Sequence, residues 1–517
     1  KRIFPALFTV LAFTMVLGFF FLSPELFKNM TKDVGVASLQ FSNFRFADKV
    51  DYFQQSQLPS TVLHTWSLGV EEQFYLVWPI LIWLTFKLGT VNRLWQVLGT
   101  VFVVSFGLNL ALIDSYPQST FFLLHTRAWE LALGGLLALY HHQGGSMLLN
   151  KKSFVEVGSW LAFFALMACS VFYTEEHFPG MKAVLPCVAA AAIIHFGRAR
   201  EGSVFNLLSL KPIVYVGLIS YGLYLWHWPL IVIYKAYTLS ELTLMAQLGL
   251  LTATFALTIW CYYKVELPLR YSKFTPKFAL PVGVLAMGVM FGLTALIRPL
   301  SYDTVRFDSQ FSKADFPYSK LANKGHQRDD FNPEKFCVIG DKDAKVTALL
   351  SGASHAGHYT DMMDKWGKEN GVQVTVVSKN GCTLWLDVAP NADQVKPDRQ
   401  KCMDFQQEFK EWIKGTSFDY AFLAVRSDAI VNRMLKNTPE PAERYTKGLQ
   451  KSLELVSGRA HQTIFLGQVP IYSYSPPNCY YTQRLYVSKL FQDIDKASHE
   501  CLMFDREFND KRLSETT

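Results

Sequence analysis

Nine long apolar runs dominate the first 300 positions, at about 5–22, 67–86, 94–113, 119–140, 154–173, 181–197, 212–236, 243–263 and 279–297. Each approaches the roughly 20 residues a helix needs to cross about 30 Å of hydrocarbon, and so predicts a membrane span. From position 345 the pattern changes. Short, nearly all-apolar stretches at 345–352, 372–378, 419–425 and 462–469 alternate with amphipathic segments near 356–369, 402–414 and 442–457. Strands of that kind between helices predict a parallel sheet covered on both faces. The expected fold is a polytopic α-helical membrane domain over 1–300, a linker over 301–344, and a three-layer α/β domain over 345–517.

Charge follows the same division. Residues 1–300 carry 21 basic and 14 acidic side chains, whereas 301–517 carry 29 of each. A net charge of +7 on 517 residues is too mild for a nucleic-acid binder. Within the first part the basic residues have a direction. Lys1–Arg2, Lys87/Arg93, Lys151/Lys152, Arg198/Arg200/Lys211 and Lys264/Arg270/Lys273/Lys277 fall in every second connection, while 114–118 and 174–180 have none. That alternation predicts a cytoplasmic Lys1 and an extracytoplasmic chain beyond about residue 300. The loop 23–63, with Lys28, Lys32, Arg45 and Lys49, is the exception, and long loops obey the rule less strictly. The chain opens on Lys without a cleavable signal peptide, so a fragment is expected whose true N-terminus has been cut away. Its ending, NDKRLSETT, carries no stop signal of its own.

Ionisable groups inside spans are costly and mark candidate sites. In HTWSLGVEEQFYLVWP, 64–79, Ser67, Glu71 and Tyr75 recur at i, i+4 and i+8 on one helix face, with His64 a turn earlier at the outer boundary. The alternative for Glu71 and Glu72 is capping of the helix N-terminus. In LLHTRAWELALGG, 123–135, Arg127 and Glu130 can pair inside the membrane, structurally or in catalysis. ISYGLYLWHWPL, 219–230, sets His227 between two tryptophans near the outer end of its span. Glu266, in KVELPLR, reads as part of an interfacial salt-bridge cluster.

In the second part, strand 345–352 runs into SGASHAGHY, 351–359. A small-residue turn between a parallel strand and a helix is where α/β folds place reactive groups. Ser354 there is either a nucleophile beside helix N–H donors or a simple N-cap. Cys337, Cys382, Cys402, Cys479 and Cys501 suit an oxidising compartment, with 382–402 and 479–501 the simplest pairs, although spacing does not fix the connectivity. No CxxC, HExxH, EF-hand or phosphate-loop spacing occurs, so neither a metal nor a tightly bound cofactor is expected.

KRIFPAL (1–7), HTWSLGVEEQFYLVWP, TRAWELALGG, SYGLYLWHWPL and VELPLR, in this order over about 270 residues, resemble the membrane domain of the acyltransferase family 3 proteins, bacterial enzymes that O-acylate surface and secreted glycans. The resemblance implies two further helices upstream carrying an essential histidine. It implies acetyl-CoA as acyl donor, with Arg2 meeting its phosphates, and an extracytoplasmic glycan or glycolipid such as O-antigen of lipopolysaccharide as acceptor. Glu71 and Arg127 would order the transfer path, and Ser67, Tyr75 and His227 are candidates to bind substrate. The implied location is the bacterial inner membrane, with the lipid bilayer as a further partner.

The second part resembles the SGNH-hydrolase-type domain fused behind many of these proteins. Its Gly-Asp-Ser-His turn reads here Gly352-Ala353-Ser354-His355, and Gly381 is the candidate oxyanion glycine. Where the family has a C-terminal Asp and His, FNDKRLS (508–514) has Asn509 and Arg512. Arg stays protonated and cannot act as a base. Ser354 is therefore expected to have little esterase activity, leaving glycan binding to this domain. A membrane glycan transporter with an outer binding domain is the alternative class, although no internal repeat of the kind transporters carry is found.

Overall fold

A computed structural model describes residues 3–49, 58–88, 91–173, 178–239, 242–271, 276–302, 306, 331–379, 382, 396–424 and 441–466. They fall into two compact units, one within Lys1–Phe311 and one within Ser312–Ser473.

The first unit is helical. In chain order it contains α1 (Ile3–Phe21), α2 (Pro24–Ser38), α3 (Ser42–Lys49), α4 (Thr65–Leu88), α5 (Val91–Leu112), α6 (Pro117–Phe122) and α7 (Leu124–His142). Then follow α8 (Lys152–Phe172), α9 (Val184–Gly197), α10 (Ser203–Leu208), α11 (Lys211–Thr238), α12 (Leu244–Cys261), α13 (Leu267–Arg270) and α14 (Pro276–Ile297). All nine apolar runs are mainly helical, although 119–140 is divided at Leu123 between α6 and α7. Among the described residues six helical segments are long and apolar enough to cross a membrane: Ile3–Phe21, Arg93–Leu112, Lys152–Phe172, Lys211–Thr238, Leu244–Arg270 and Leu280–Ser301. The other three expected spans fall short for physical reasons. α4 carries Glu71, Glu72 and Lys87, α7 carries Arg127 and Glu130, and α9 has only 14 residues. The loop 23–63 is not simply a loop, since it holds α2 and α3.

α1 and α11 run side by side in the same direction. Tyr221 donates to the Ile3 carbonyl at 3.0 Å, Trp226 packs edge-on against Phe13, and Tyr237 packs against Phe21. This correspondence places His227 about 9 Å beyond the Tyr221 level and about 15 Å short of the Tyr237 level, at 1.5 Å per residue. His227 is thus level with the middle of α1, not with the outer end expected from its sequence position.

The C-terminus of α1 has an unusual cap. Arg306 donates to the carbonyls of Phe19 (2.8 Å), Gly18 (3.4 Å) and Leu22, and to Ser301 (2.7 Å). Its guanidinium also lies over the Phe27 ring at 4.2 Å. A cation suits this end of the helix, where carbonyls are left without intrahelical donors.

The second unit is a five-stranded sheet of β1 (Cys337–Gly340), β2 (Val346–Gly352), β3 (Val372–Ser378), β4 (Phe418–Ala424) and β5 (Ala460–Leu466), in the order β1-β3-β2-β4-β5. β2 to β5 are parallel, as expected. β1, which comes from the expected linker, adds an antiparallel edge, so the sheet is mixed.

Strand alternation builds two cores. Ala348, Leu350, Val374, Val376 and Phe422 face α15 (Ser354–Asn370), whereas Leu349, Val377, Ala421 and Leu423 face α16 (Lys396–Lys414) and α17 (Pro441–Ser457). Three layers result. Cys382 and Cys402 form the expected disulfide, fastening the segment after β3 to α16. The 479–501 pair lies outside the described residues.

Candidate functional site

In the helical unit the polar residues of α11 recur at Tyr221, Tyr224 and His227/Trp228, one turn apart and on one face. Each meets a group on another element. Tyr221 bonds to Ile3 at the start of α1, and Glu71, Glu72 and Glu266 all lie within electrostatic reach of its hydroxyl. One turn on, the Ser67 and Tyr224 hydroxyls meet at 2.7 Å, and Tyr224 donates to the His64 carbonyl. With the Tyr224 proton so committed, Ser67 is the donor of that pair. Next, the His64 and His227 rings meet edge to face, centroids 5.9 Å apart, and the Tyr224 ring packs against both. Finally, Trp228 donates to the Ser60 carbonyl at 2.9 Å. A polar seam therefore runs along α11, with α1 and α4 beside it, through surroundings that are otherwise apolar.

Two local features shape the seam. Residues 61–64 form a turn, not a helix, and all four are buried. Non-helical backbone at membrane depth needs protein around it to satisfy its polar groups. Ser42 supplies part of this by donating to the Thr65 carbonyl at 2.8 Å, while Gln73 and Asn43 exchange amide hydrogen bonds between α3 and α4. At the other end, α12 widens into a π turn, Tyr262–Glu266, and Glu266 is only 4% exposed. Glu266 is thus buried and not at the surface as its basic neighbours in sequence led us to expect. Single π turns inside helices are frequent at functional sites.

Arg127 occupies a different position. It forms a bidentate pair with Glu130 (3.1 and 3.0 Å), donates to the Phe121 carbonyl, and lies over the Trp66 ring at 5.1 Å. This arrangement holds the start of α4 against α6 and α7. Tyr75 is half exposed on α4, at 51%, and lines no described part of the seam. Ser67, His64 and His227 are brought together, with Glu71 one turn from Ser67. Arg2 and Gly381 lie outside the described residues.

In the second unit, β2 is the strand from which the chain crosses first to β3 on one side and then to β4 on the other. Such a switch point opens a crevice at the strand's carboxyl end. Gly352-Ala353-Ser354 sits there. A Cβ on Gly352, whose φ is +156°, would come within 1.8 Å of the Ala424 carbonyl oxygen, so only glycine lets β2 and β4 end this close together. α15 begins at Ser354, and the side chains of Ser354 and His355, like residues 508–514, lie outside the described residues. Lys379, at the end of β3 and bonded through its N–H to the Gly352 carbonyl (3.4 Å), is buried with its ammonium 5.3 Å from the Phe405 ring centroid. The sequence pattern offers no hint of this lysine, because a Lys after a strand usually faces water.

Residues 1–263 match the acyltransferase domain family, and residues 323–514 match the SGNH domain that is fused to such domains. Among curated proteins, the chain is 25% identical over 288 residues to a peptidoglycan O-acetyltransferase OatA of Listeria monocytogenes, covering 54% of this chain and 46% of that one. It is 30% identical over 246 residues to a putative peptidoglycan O-acetyltransferase, YrhL, of Bacillus subtilis (45% and 38%), and 28% identical over 295 residues to an O-acetyltransferase OatA of Staphylococcus aureus (54% and 48%). The chain thus spans less than half the length of these three relatives. No solved structure matches it. With more than half of its residues inside the acyltransferase family match and the SGNH match following, the chain is a multi-pass membrane protein that belongs to acyltransferase family 3, in its SGNH-fused form.

Proposed function

We propose that the protein is a membrane O-acetyltransferase that moves an acetyl group from cytoplasmic acetyl-CoA to a hydroxyl of an extracytoplasmic glycan. The observation that carries this reading is the polar seam along α11. A transfer that starts at a cytoplasmic thioester and ends on an outside sugar needs a route of hydrogen-bonding and acid–base groups through hydrocarbon. The named relatives support the acetyl group and a cell-wall acceptor. In this reading Arg2 meets the CoA phosphates and Glu71 orders the path beside Ser67. Arg127 fixes the helices around the path, and the SGNH unit, on the periplasmic side of the inner membrane, holds the glycan.

The test is Glu71→Gln in the full-length protein, expressed in a host whose own gene is disrupted. Base-released acetate is measured separately on peptidoglycan and on O-antigen. The wild type should restore acetate on one of the two, and that fraction names the acceptor. Glu71→Gln should abolish it at unchanged membrane abundance. No acetate on either glycan with the wild type in the membrane would count against the function. Normal acetate with Glu71→Gln would remove Glu71 from the transfer path; capping is no alternative role, because α4 begins at Thr65 and Glu71 lies in its second turn.

A further inference from the structure

Buried polar atoms in folded proteins are nearly always hydrogen-bonded, and those that are not call for an explanation. His64 is 7% exposed, and among the described residues its ring nitrogens make no hydrogen bond of ordinary geometry, with only the Leu225 backbone on α11 within weak hydrogen-bond reach. One turn earlier in the buried segment, the Thr61 hydroxyl is bare as well. Against His64 lies His227. Its Nδ1 is 3.1 Å from the Leu223 carbonyl, so Nδ1 carries the hydrogen and the neutral ring keeps its lone pair on Nε2. No described residue meets Nε2. His227 is partly exposed although Leu225 and Trp226 beside it are 0% and 1% exposed, so part of its ring is left uncovered by the described residues.

We propose that His227 is a general base of the acyl transfer, accepting the acceptor hydroxyl's proton on Nε2, and that His64 is its positioning residue. The proposal rests on the O-acetyltransferase reading. The acceptor oxygen attacks the acyl carbonyl carbon and the new C–O bond forms as the hydroxyl proton passes to Nε2. The bond from that carbon to the donor's sulfur then breaks, and the proton leaves His227 for the sulfur, giving ester and thiol with the base regenerated. Other titratable groups face the seam. Glu71 and Glu72 come from α4, Tyr221 and Tyr224 from α11, and Glu266 from the π turn, whereas α1 has no charged residue from Ile3 to Phe21. All three carboxylates lie within electrostatic reach of Tyr221, about two turns from His227 along α11, and the imidazoles are the bases seen to meet at the His227 level.

Membrane vesicles carrying the full-length protein and their own glycan are given radiolabelled acetyl-CoA, and initial rates are followed across about pH 5–8, the range in which imidazole titrates. The wild-type rate should fall toward acid. His227→Gln should lose about 100-fold or more, with the acid limb gone. Imidazole in the buffer should restore part of the rate to His227→Gly. His64→Gln should displace the acid limb with a smaller loss. A wild-type rate flat across this range, or a His227→Gln rate within about threefold of wild type, overturns the proposal. Because an essential histidine is also expected upstream, the acid limb is assigned to His227 by its loss in His227→Gln at unchanged membrane abundance and by imidazole rescue of His227→Gly, and a His227→Gln variant that keeps the acid limb overturns the proposal. Absence of transfer by the wild type would instead sink the O-acetyltransferase reading itself.

Discussion

Ser67 on α4 and Tyr224 on α11 meet hydroxyl to hydroxyl at 2.7 Å, although 157 residues separate them in the chain. Tyr224 uses its own proton on the His64 carbonyl, so one phenol ties α11 both to α4 and to the turn that precedes it. Tyr224→Phe keeps the ring and removes both bonds. We expect it to cost about 1–3 kcal/mol, the penalty for buried polar atoms left unmatched, and to lower the thermal midpoint of the detergent-solubilised protein. An unchanged midpoint would mean that the phenol is not a tie.

Topology offers an independent check. The charge alternation predicts residue 205 in the cytoplasm and the chain beyond 300 outside it. A reporter fused at 205 should be active only in the cytoplasm and one fused after 300 only outside. Both on the same side would remove the two-sided route.

The SGNH unit should bind glycan without turning over esters. The C-terminal block has Asn509 and Arg512 where a catalytic Asp and His belong, and an unassisted serine reacts slower by several orders of magnitude. We therefore expect Ser354→Ala, in the full-length protein, to retain most of the glycan-bound acetate. Loss of the acetate, with an acetyl adduct seen by intact mass on the wild type alone, would make Ser354 the last acyl carrier.

Acid should weaken the same unit through Asp364. Burial raises this carboxyl, but the Lys368 ammonium (2.6 Å) and the Gly340 N–H (2.9 Å) outweigh burial and hold it below the ordinary carboxylate range. A carboxyl lowered on folding stabilises above its unfolded value, near pH 3.9, and loses that contribution as pH falls through the folded value. Unfolding followed by the Trp366 environment should show stability dropping below about pH 4, and less steeply in Asp364→Asn. Parallel curves for the two proteins would show that Asp364 contributes nothing to acid sensitivity.

The parts of this structure governed by local periodicity were legible beforehand. Strands expected at 345–352 and 372–378 occur at Val346–Gly352 and Val372–Ser378, and every long apolar run is mainly helical. Nearness across the chain was not. His64 and His227 looked like two unrelated residues at the outer ends of different spans, because their meeting depends on α11 lying along α1 and on a turn dipping into the bundle. Glu266 looked like a surface charge, because a π turn leaves no mark in the hydrophobic pattern. β1 was missed for a simpler reason: four residues beside a Gly carry too little alternation to separate a strand from a linker.

A row of hydroxyls and carboxylates inside a membrane bundle also endangers the membrane that holds it, since ions and protons leak where polar groups line up. The turn before α4 has a second property that bears on this. Val62 and Leu63 are 0% and 3% exposed and stand between Ser60, which receives the Trp228 N–H, and His64. Read as electrical insulation, these two side chains would be a short hydrocarbon seal at this end of the seam, closed to a hydrated ion. Polar substitutions there are expected to dissipate the host's proton gradient while leaving the reactive groups in place.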